Sequence, residues 1–434
     1  MNVLIFGLGL LGGGFSSATY FLDRGDQVRI TDLRSEESLG GPLEILKQRG
    51  ATAVCTEHRY SDVEWADLVI KNPAVSPDNP YLKVARKIET DISYLLSSSV
   101  AQKTKVIAIT GTKGKTFTVA TVTHILNSVG KEALQFGNMG ISGFTILSEL
   151  EKREQEGLPL PSYLVCELSS WQIRDLYHSN GKTIPPLSLV ALTSLFPDHL
   201  NWYNDYQSYK EDKWLLFGSS YARIIMSEQH AAEFSQSLGK KPKGIKTVES
   251  FADASNQDPK NQVAFAICRS LGVGSRQIAS ALESFTGVPH RQEQVAIKDH
   301  IVFINDSAAT IPESVSFSLL YCPWPFHLIS GGTDKNLAAE GMLEALKRAS
   351  SIHLLSGNFT DNKLIPLLKR EKIPFHGPFN SMEAAFHSAV ASARNSLSIH
   401  QTTAVILSPG ATSYGLFLHE FDRGDQFRAL VHAL

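Results

Sequence analysis

The sequence is short of several things, and each shortage closes off a class of protein. It has no surplus of charge: 41 lysines and arginines stand against 43 aspartates and glutamates, a formal net of −2. A balance of that kind argues against a general nucleic-acid or anionic-membrane surface, which needs a basic excess. Its four cysteines, Cys55, Cys166, Cys268 and Cys322, are far apart and form no CxxC pair. That spacing excludes a zinc-like cluster and suits free thiols in a reducing cytoplasm. No charged side chain precedes Asp23, yet the basic start of a signal peptide is missing, and five glycines within the same stretch are no basis for a membrane span. The stretch therefore reads as strand, turn and helix, and no other segment is a membrane candidate. Repeats at solenoid periods and low-complexity tracts are also missing.

What is present fits a large α/β chain. At 434 residues and 43% hydrophobic content, two to four packed domains are expected. Apolar runs of strand length alternate with helical stretches, the pattern of parallel βαβ construction. The first block holds "VLIFG", "VRITD" and "LVIKNPAVSP", followed by a polar stretch near residues 97 to 105 that reads as a linker. The second starts at "VIAITGTKGKT", includes "YLVCELSSWQ" and "LSLVALTSLFPDHLNWY", and ends in a helix near "SRQIASALESFTG". The third opens at "VPHRQEQ" and carries the strand candidates "HIVFIND", "FHLISGG", "IHLLSG" and "AVILSPG". These runs end in Gly, Asp or Ser, so polar residues collect at strand carboxyl ends, where open α/β sheets place ligands.

Two glycine turns carry the chemistry. "NVLIFGLGLLGGG" sets Gly7-x-Gly9-x-x-Gly12 after a buried strand, with Asp32 following at the end of a second one. Taken alone, that is the dinucleotide fingerprint and suggests an NAD-binding oxidoreductase. The second turn, "GTKGKT", lies between a β-branched run and a helix-compatible run. The backbone N–H groups of Gly111, Thr112, Lys113, Gly114, Lys115 and Thr116 are expected to cradle phosphates at a helix N-terminus. Lys115 would reach the β/γ-phosphates and the Thr116 hydroxyl would ligate Mg²⁺. The first glycine of the strict Walker pattern is replaced by Ile109. Hydride transfer has no use for such a loop.

With both turns in view the chain resembles the Mur ligases over its whole length. The resemblance is carried by "GLGLLG" with "TDLR", "GTKGKT", "GNMG", "ELSSWQ", "DHLNWY…YKEDK", "PHR", "INDSAAT", "GGTDKN" and "SPGATSYGLF…DRG", in that order. It implies a three-domain α/β protein: an N-terminal Rossmann-like domain over 1–102 for a UDP-sugar, a central P-loop ATPase-like α/β domain over 103–288, and a C-terminal Rossmann-like α/β domain over 289–434 for the amino acid. It also implies an ATP- and Mg²⁺-dependent ligase that adds D-glutamate to UDP-N-acetylmuramoyl-L-alanine through an acyl phosphate, acting as a cytoplasmic monomer in peptidoglycan precursor synthesis.

The same resemblance places individual residues. Leu10 and Leu11 match positions that meet the pyrophosphate, while Asp32, Leu33 and Arg34 match the uracil site. Glu167 and His199 match metal-binding positions, joined by Thr116 and by Lys213, which aligns with a lysine carbamylated in these ligases. Lys210 is the neighbour with which Lys213 could be confused. Asn138 matches a residue contacting the sugar-peptide substrate and the metal shell, and Phe117 extends the ATP loop. Arg291 matches a contact to ATP phosphates and Asp306 one to the nucleotide ribose, while Thr310, Lys335 and Ser413 match the holders of the incoming glutamate's carboxylates. Lys115, His199, Asn138 and Lys213 are the expected catalytic set.

Several positions depart from the family pattern. Ala308 replaces a lysine of the usual "NDSKAT", Lys113 an asparagine, Asn201 an aspartate and Glu420 an aromatic residue. No clean "HNxxN" segment marks the adenine site, for which Asn256 and Asn261 are candidates. The alternatives are a sister ligase using L-glutamate or another amino acid, an NAD-binding oxidoreductase, and a binding protein with weakened catalysis.

Overall fold

The structure is a computed structural model. It describes residues 1–434 apart from 10–11, 199–201, 219–222, 240–244, 252–256, 320–321, 335–336, 398–400 and 414, and the side chain of 317.

Three sheets organise the described residues. The first comprises β1 (Asn2–Phe6), β2 (Gln27–Asp32), β3 (Thr52–Cys55), β4 (Leu68–Lys71) and β5 (Ile88–Glu89), in the order β3-β2-β1-β4-β5. The second comprises β6 (Lys105–Thr110), β7 (Ala133–Gly137), β8 (Tyr163–Glu167), β9 (Leu189–Leu192), β10 (Arg223–Met226) and β11 (Ile245–Thr247), in the order β11-β10-β9-β6-β8-β7. Every strand pair in these two sheets is parallel. Parallel sheets survive only when both faces are covered, and the strands show it: all four residues of β4 and of β9 are buried, Lys71 included.

The third sheet comprises β12 (Glu293–Lys298), β13 (Ile301–Asn305), β14 (Phe326–Gly331), β15 (Ser351–Leu355), β16 (His376–Phe379) and β17 (Thr403–Leu407), ordered β12-β13-β17-β14-β15-β16. β12 runs antiparallel to β13 and the other pairs are parallel. The β12–β13 reversal turns on Asp299 and His300, both at positive φ (50° and 63°). Two such residues in sequence make a turn whose twist matches that of the strands it joins. This edge strand is partly exposed along its length, and β3, β5, β7, β10, β11 and β16 are only two to five residues long, so none of them stands out in the sequence.

The chain divides into two compact units, Met1–Phe285 and Thr286–Leu434. The first therefore holds two sheets, and the physical reason lies in the stretch read as a linker. Val100 and Ala101 are buried in one continuous core with Val3 and Ile5 of β1 and Leu164 and Cys166 of β8. Polar letters around them concealed two anchoring side chains. Within each unit, capped helices cover the sheets. Ser169 and Gln172 form a reciprocal capping box at the start of the helix Ser170–Ser179, and Thr90 and Ser93 another at Asp91–Ser97. Among the described residues no helix is long and apolar enough to cross a membrane.

β6 is the central strand of the second sheet, with β8 on one side and β9 on the other, and Ile109 on it is fully buried. Ile109→Ala is expected to destabilise the first unit by about 2–5 kcal/mol, transfer and cavity terms together. Urea unfolding checks it, and an unchanged midpoint contradicts this account of the core.

Candidate active site

The first glycine turn leaves β1 at the point where strand order reverses, between β1 and β4, the position at which such sheets bind ligands. Gly7 and Gly9 take φ of +90° and +69° before the helix Gly13–Asp23. The Gly9 N–H donates to Asp32 Oδ2 (3.1 Å) and the Arg34 N–H to Asp32 Oδ1 (2.9 Å). Both carboxylate oxygens thus brace backbone turns, and Asp32 is nearly buried. Arg34 stands 3.5 Å from Oδ2 with about half of its side chain exposed, and Leu33 is 65% exposed. Leu10 and Leu11 lie outside the described residues.

The second turn is built on the ends of three adjacent strands. β6 ends at Thr110, and the helix Lys115–Ser128 starts after Gly114, whose φ is +83°. A Cβ on Gly111 would lie 2.0 Å from Thr193 Oγ1, so only glycine lets β6 and the segment after β9 approach this closely. Two of the six amides expected to cradle phosphate are already in use: Thr112 N donates to Ser194 O (2.9 Å) and Lys113 N to Ser194 Oγ (2.8 Å). The amides of Gly111, Gly114 and Thr116 keep no partner among the described residues. The Thr112 hydroxyl is likewise internal, bonded to Phe196 and Tyr209. The cradle is therefore narrower than the sequence suggests, because Ser194 shapes the loop from beneath.

Lys115 Nζ folds over this loop, donating to Gly111 O (3.0 Å) and Thr112 O (2.9 Å). Lys213, from the helix Tyr206–Leu215, reaches the same turn, with Nζ 3.0 Å from Gly111 O and 3.3 Å from Thr110 Oγ1, above the Tyr209 ring. It is 1% exposed, and burial, with the nearby Lys115 charge second, holds its ammonium well below the usual lysine range. Lys210, one turn earlier, lies over Tyr206 instead. Of the two lysines, Lys213 is the one that reaches the Gly111 carbonyl.

Glu167 closes β8 level with Ile109 of β6 and Gly137 of β7. Its Oε1 accepts from Asn138 Nδ2 (3.0 Å), while Oε2 is buried without a partner. A buried carboxylate oxygen left unpaired is costly unless a cation meets it, so this donor fits a hard divalent ion, which prefers oxygen. The Thr116 hydroxyl has no hydrogen-bond partner among the described residues and is also available. His199 and Asn201 lie outside the described residues; Asp198 beside them pairs with Lys113 at 3.4 Å. Phe117, at the start of the helix after the loop, packs edge-on against Phe285 (5.6 Å) with Lys260 over its ring. Asn261 Oδ1 is buried without a partner, and Asn256 lies outside the described residues.

The second unit gathers its polar residues at the carboxyl edge of its sheet. Asp306 follows β13, with Oδ1 accepting from Gln292 N (3.1 Å) and Oδ2 from Ser408 Oγ (2.8 Å). Burial pushes its carboxyl up to about 6 against the opposing hydrogen bonds. Arg291, just upstream, is partly buried, and its charge acts on both Asp306 and His290. Thr310 follows on the same loop, and Ser413 is buried beyond β17. Lys335 lies outside the described residues. Arg423, which the sequence showed only as part of "DRG", is fully buried and joins two of these loops. Its Nε and Nη2 donate to Ser307 Oγ (2.9 Å) and O (2.8 Å), and Nη1 to Ala411 O (3.1 Å). Burial lowers it to about 10. No sequence signal distinguishes such an arginine from a surface one, apart from its place in the motif.

A phosphate loop with an unpaired carboxylate beside it, on one of three α/β sheets that gather polar groups at their carboxyl edges, defines an enzyme of phosphoryl chemistry. Comparison with known proteins makes the class specific. Residues 109–272 match the Mur ligase middle domain. The chain is 31% identical to the UDP-N-acetylmuramoylalanine–D-glutamate ligase of Borreliella afzelii, over 100% of this chain and 98% of that protein. It is 29% identical to the ligase of the same name from Treponema pallidum, with the same coverage. In fold it is similar to the UDP-N-acetylmuramate–alanine ligase of Thermotoga maritima (TM-score 0.60, 17% identity, 100% of this chain and 99% of that one). It is also similar to E. coli FolC in complex with DHPP and ADP (TM-score 0.55, 15% identity, 79% and 93%). The chain belongs to the Mur ligase family, and it is an ATP-dependent ligase that forms an amide bond.

The Asp306 carboxyl rises from the ordinary 3.8 to about 6 on folding, so the folded protein holds this proton more tightly than the unfolded chain. The stability it contributes is full below about 4 and is lost as pH rises to about 6, a change of about 3 kcal/mol. Asp306→Asn should remove that segment from the pH dependence of the urea midpoint. A variant that tracks the wild type from pH 4.5 to 7.5 contradicts the assignment.

Proposed function

We propose that this ligase joins D-glutamate to UDP-N-acetylmuramoyl-L-alanine, with Mg²⁺, as a cytoplasmic monomer in peptidoglycan precursor synthesis. The observation that carries the reading is the buried Oε2 of Glu167, which has no partner while Asn138 holds the other oxygen, Oε1. The names of the full-length relatives support the choice of substrates.

Residues 1–102 hold the uridine nucleotide, 103–288 the ATP phosphates and 289–434 the amino acid. The substrate carboxylate attacks the γ-phosphate of ATP, giving an acyl phosphate and ADP; the glutamate amine then displaces phosphate. Two anions must meet in the first step, so the chain's task is to neutralise charge and fix geometry. Lys115 exchanges its loop carbonyls for the β/γ-phosphates, the unpaired amides of Gly111, Gly114 and Thr116 receive phosphate oxygens, and Arg291 adds positive charge. Thr116, Glu167, His199 and Lys213 hold the divalent ion, which when bound draws charge from the phosphoryl oxygens. Lys213 does so as a carbamate: its amine, whose charged form burial disfavours, adds to CO₂ and releases a proton. Asn138 holds Glu167 and meets the sugar-peptide substrate. Thr310, Lys335 and Ser413 bind the glutamate carboxylates, and Asp306 meets the nucleotide ribose.

Phosphate release is the direct test. It is expected only when the sugar nucleotide and D-glutamate are both present with MgATP, and equal release with L-glutamate overturns the choice of amino acid. Lys115→Ala should lower turnover by about 100-fold or more, since it removes charge stabilisation in the transition state. If that variant keeps its activity, the loop is not the phosphoryl site.

A further inference from the structure

The mechanism leaves one buried ion pair unused. Lys71 closes β4 and Asp175 lies in the helix Ser170–Ser179; their Nζ and Oδ2 meet at 2.8 Å with both side chains 3% exposed. Lys71 is the one partner of this oxygen among the described residues. Lys71 spends its remaining donors on the loop that follows its own strand, with Nζ 2.8 Å from Val75 O and 3.3 Å from Asn72 O. That loop is the second wall of the first glycine turn. A Cβ built on Gly7 would lie 3.0 Å from Asn72 Cβ, and one on Gly9 2.8 Å from Asn72 Nδ2.

Asp175 belongs to the element that follows the Glu167 strand. β8 ends at Glu167, and three residues later the helix Ser170–Ser179 begins under its Ser169–Gln172 capping box. A continuous path of described contacts thus runs from the wall of the glycine turn, through Lys71, to the helix launched from the carboxylate that holds the cation. Replacing a buried pair by apolar side chains of similar size is often neutral for stability. Stability alone therefore does not account for placing the pair at this loop.

We propose that Lys71 and Asp175 are positioning residues that hold the Asn72–Val75 wall of the uridine-nucleotide turn in register with the β8 edge of the phosphoryl site. The inference rests on the reading that residues 1–102 bind the uridine nucleotide.

The test is a Lys71→Met/Asp175→Leu double replacement, in which no buried charge is left alone, studied by urea unfolding, calorimetric titration with UDP and steady-state kinetics. The expected result is a near-native unfolding midpoint, a Kd for UDP and a KM for the sugar nucleotide raised about tenfold, and a KM for ATP within about twofold of wild type. A stable double variant with wild-type UDP affinity shows that the pair only supports the fold, and overturns the proposal. If the double replacement does not fold, Asp175→Asn replaces it. That isosteric change strips Lys71 of its counter-charge, and the same selective loss of UDP affinity is expected, with unchanged affinity again overturning the proposal. Failure of the wild type itself to bind UDP is a separate outcome: it removes the reading of residues 1–102, and the inference with it.

Discussion

The site in the first unit depends on one close approach, that of the Gly111 turn to the Thr193–Ser194 segment beyond β9. Without a Cβ at 111 the two strand ends come within van der Waals reach, and Ser194 can take the Thr112 and Lys113 amides. What remains unpaired, the amides of Gly111, Gly114 and Thr116, faces the start of a helix whose dipole already favours anions. The same turn offers the Gly111 carbonyl to both Lys115 and Lys213. Two cationic side chains on one carbonyl repel each other, and burial of the second resolves the conflict by favouring its neutral form. Loop shape, the set of amides left unpaired and the surroundings of Lys213 thus follow from a single steric allowance.

A second theme is where ionisable groups are buried. Lys71, Glu167, Lys213, Asp306 and Arg423 are all sequestered, and each sits at or beside the carboxyl end of a strand. Burying charge is expensive, and the chain meets the cost differently in each place: an opposite charge for Lys71, carbonyl oxygens for Arg423, a raised pKa for Asp306 and a lowered one for Lys213. Only Glu167 keeps an oxygen unsatisfied among these, and it is the one proposed to meet a cation.

Much of this was legible in the residues. The two glycine turns were readable because a βα turn that accepts phosphate has a narrow chemical vocabulary, and the long apolar strands β1, β6, β8, β13 and β17 were readable because parallel strands are apolar on both faces. The antiparallel β12 and the short edge strands were not, since partial exposure removes that signal. Lys213 was preferred to Lys210 on the resemblance alone, and only placing the helix against the loop shows which of the two reaches the Gly111 carbonyl. The joining of the first two sheets was hidden because Val100 and Ala101 sit in a polar stretch, and the Lys71–Asp175 pair because its members are 104 positions apart, at 71 and 175. Sequence gives the donors and acceptors but not which of them the fold has already consumed, as at Asp32 and Thr112.

The antiparallel start of the third sheet settles where the chain enters the second unit. Because β12 begins opposite Asn305 and ends opposite Ile301, the incoming backbone arrives at the end of the sheet where the polar loops gather. A parallel first strand of six residues would have delivered it at the far end, roughly 20 Å away. The residues just before β12 are therefore placed without an extra crossover, and Gln292 N is already bonded to Asp306. One reversed strand turns a connector into part of the sheet's polar edge, so its length and sequence are constrained by the groups gathered there as well as by chain connectivity.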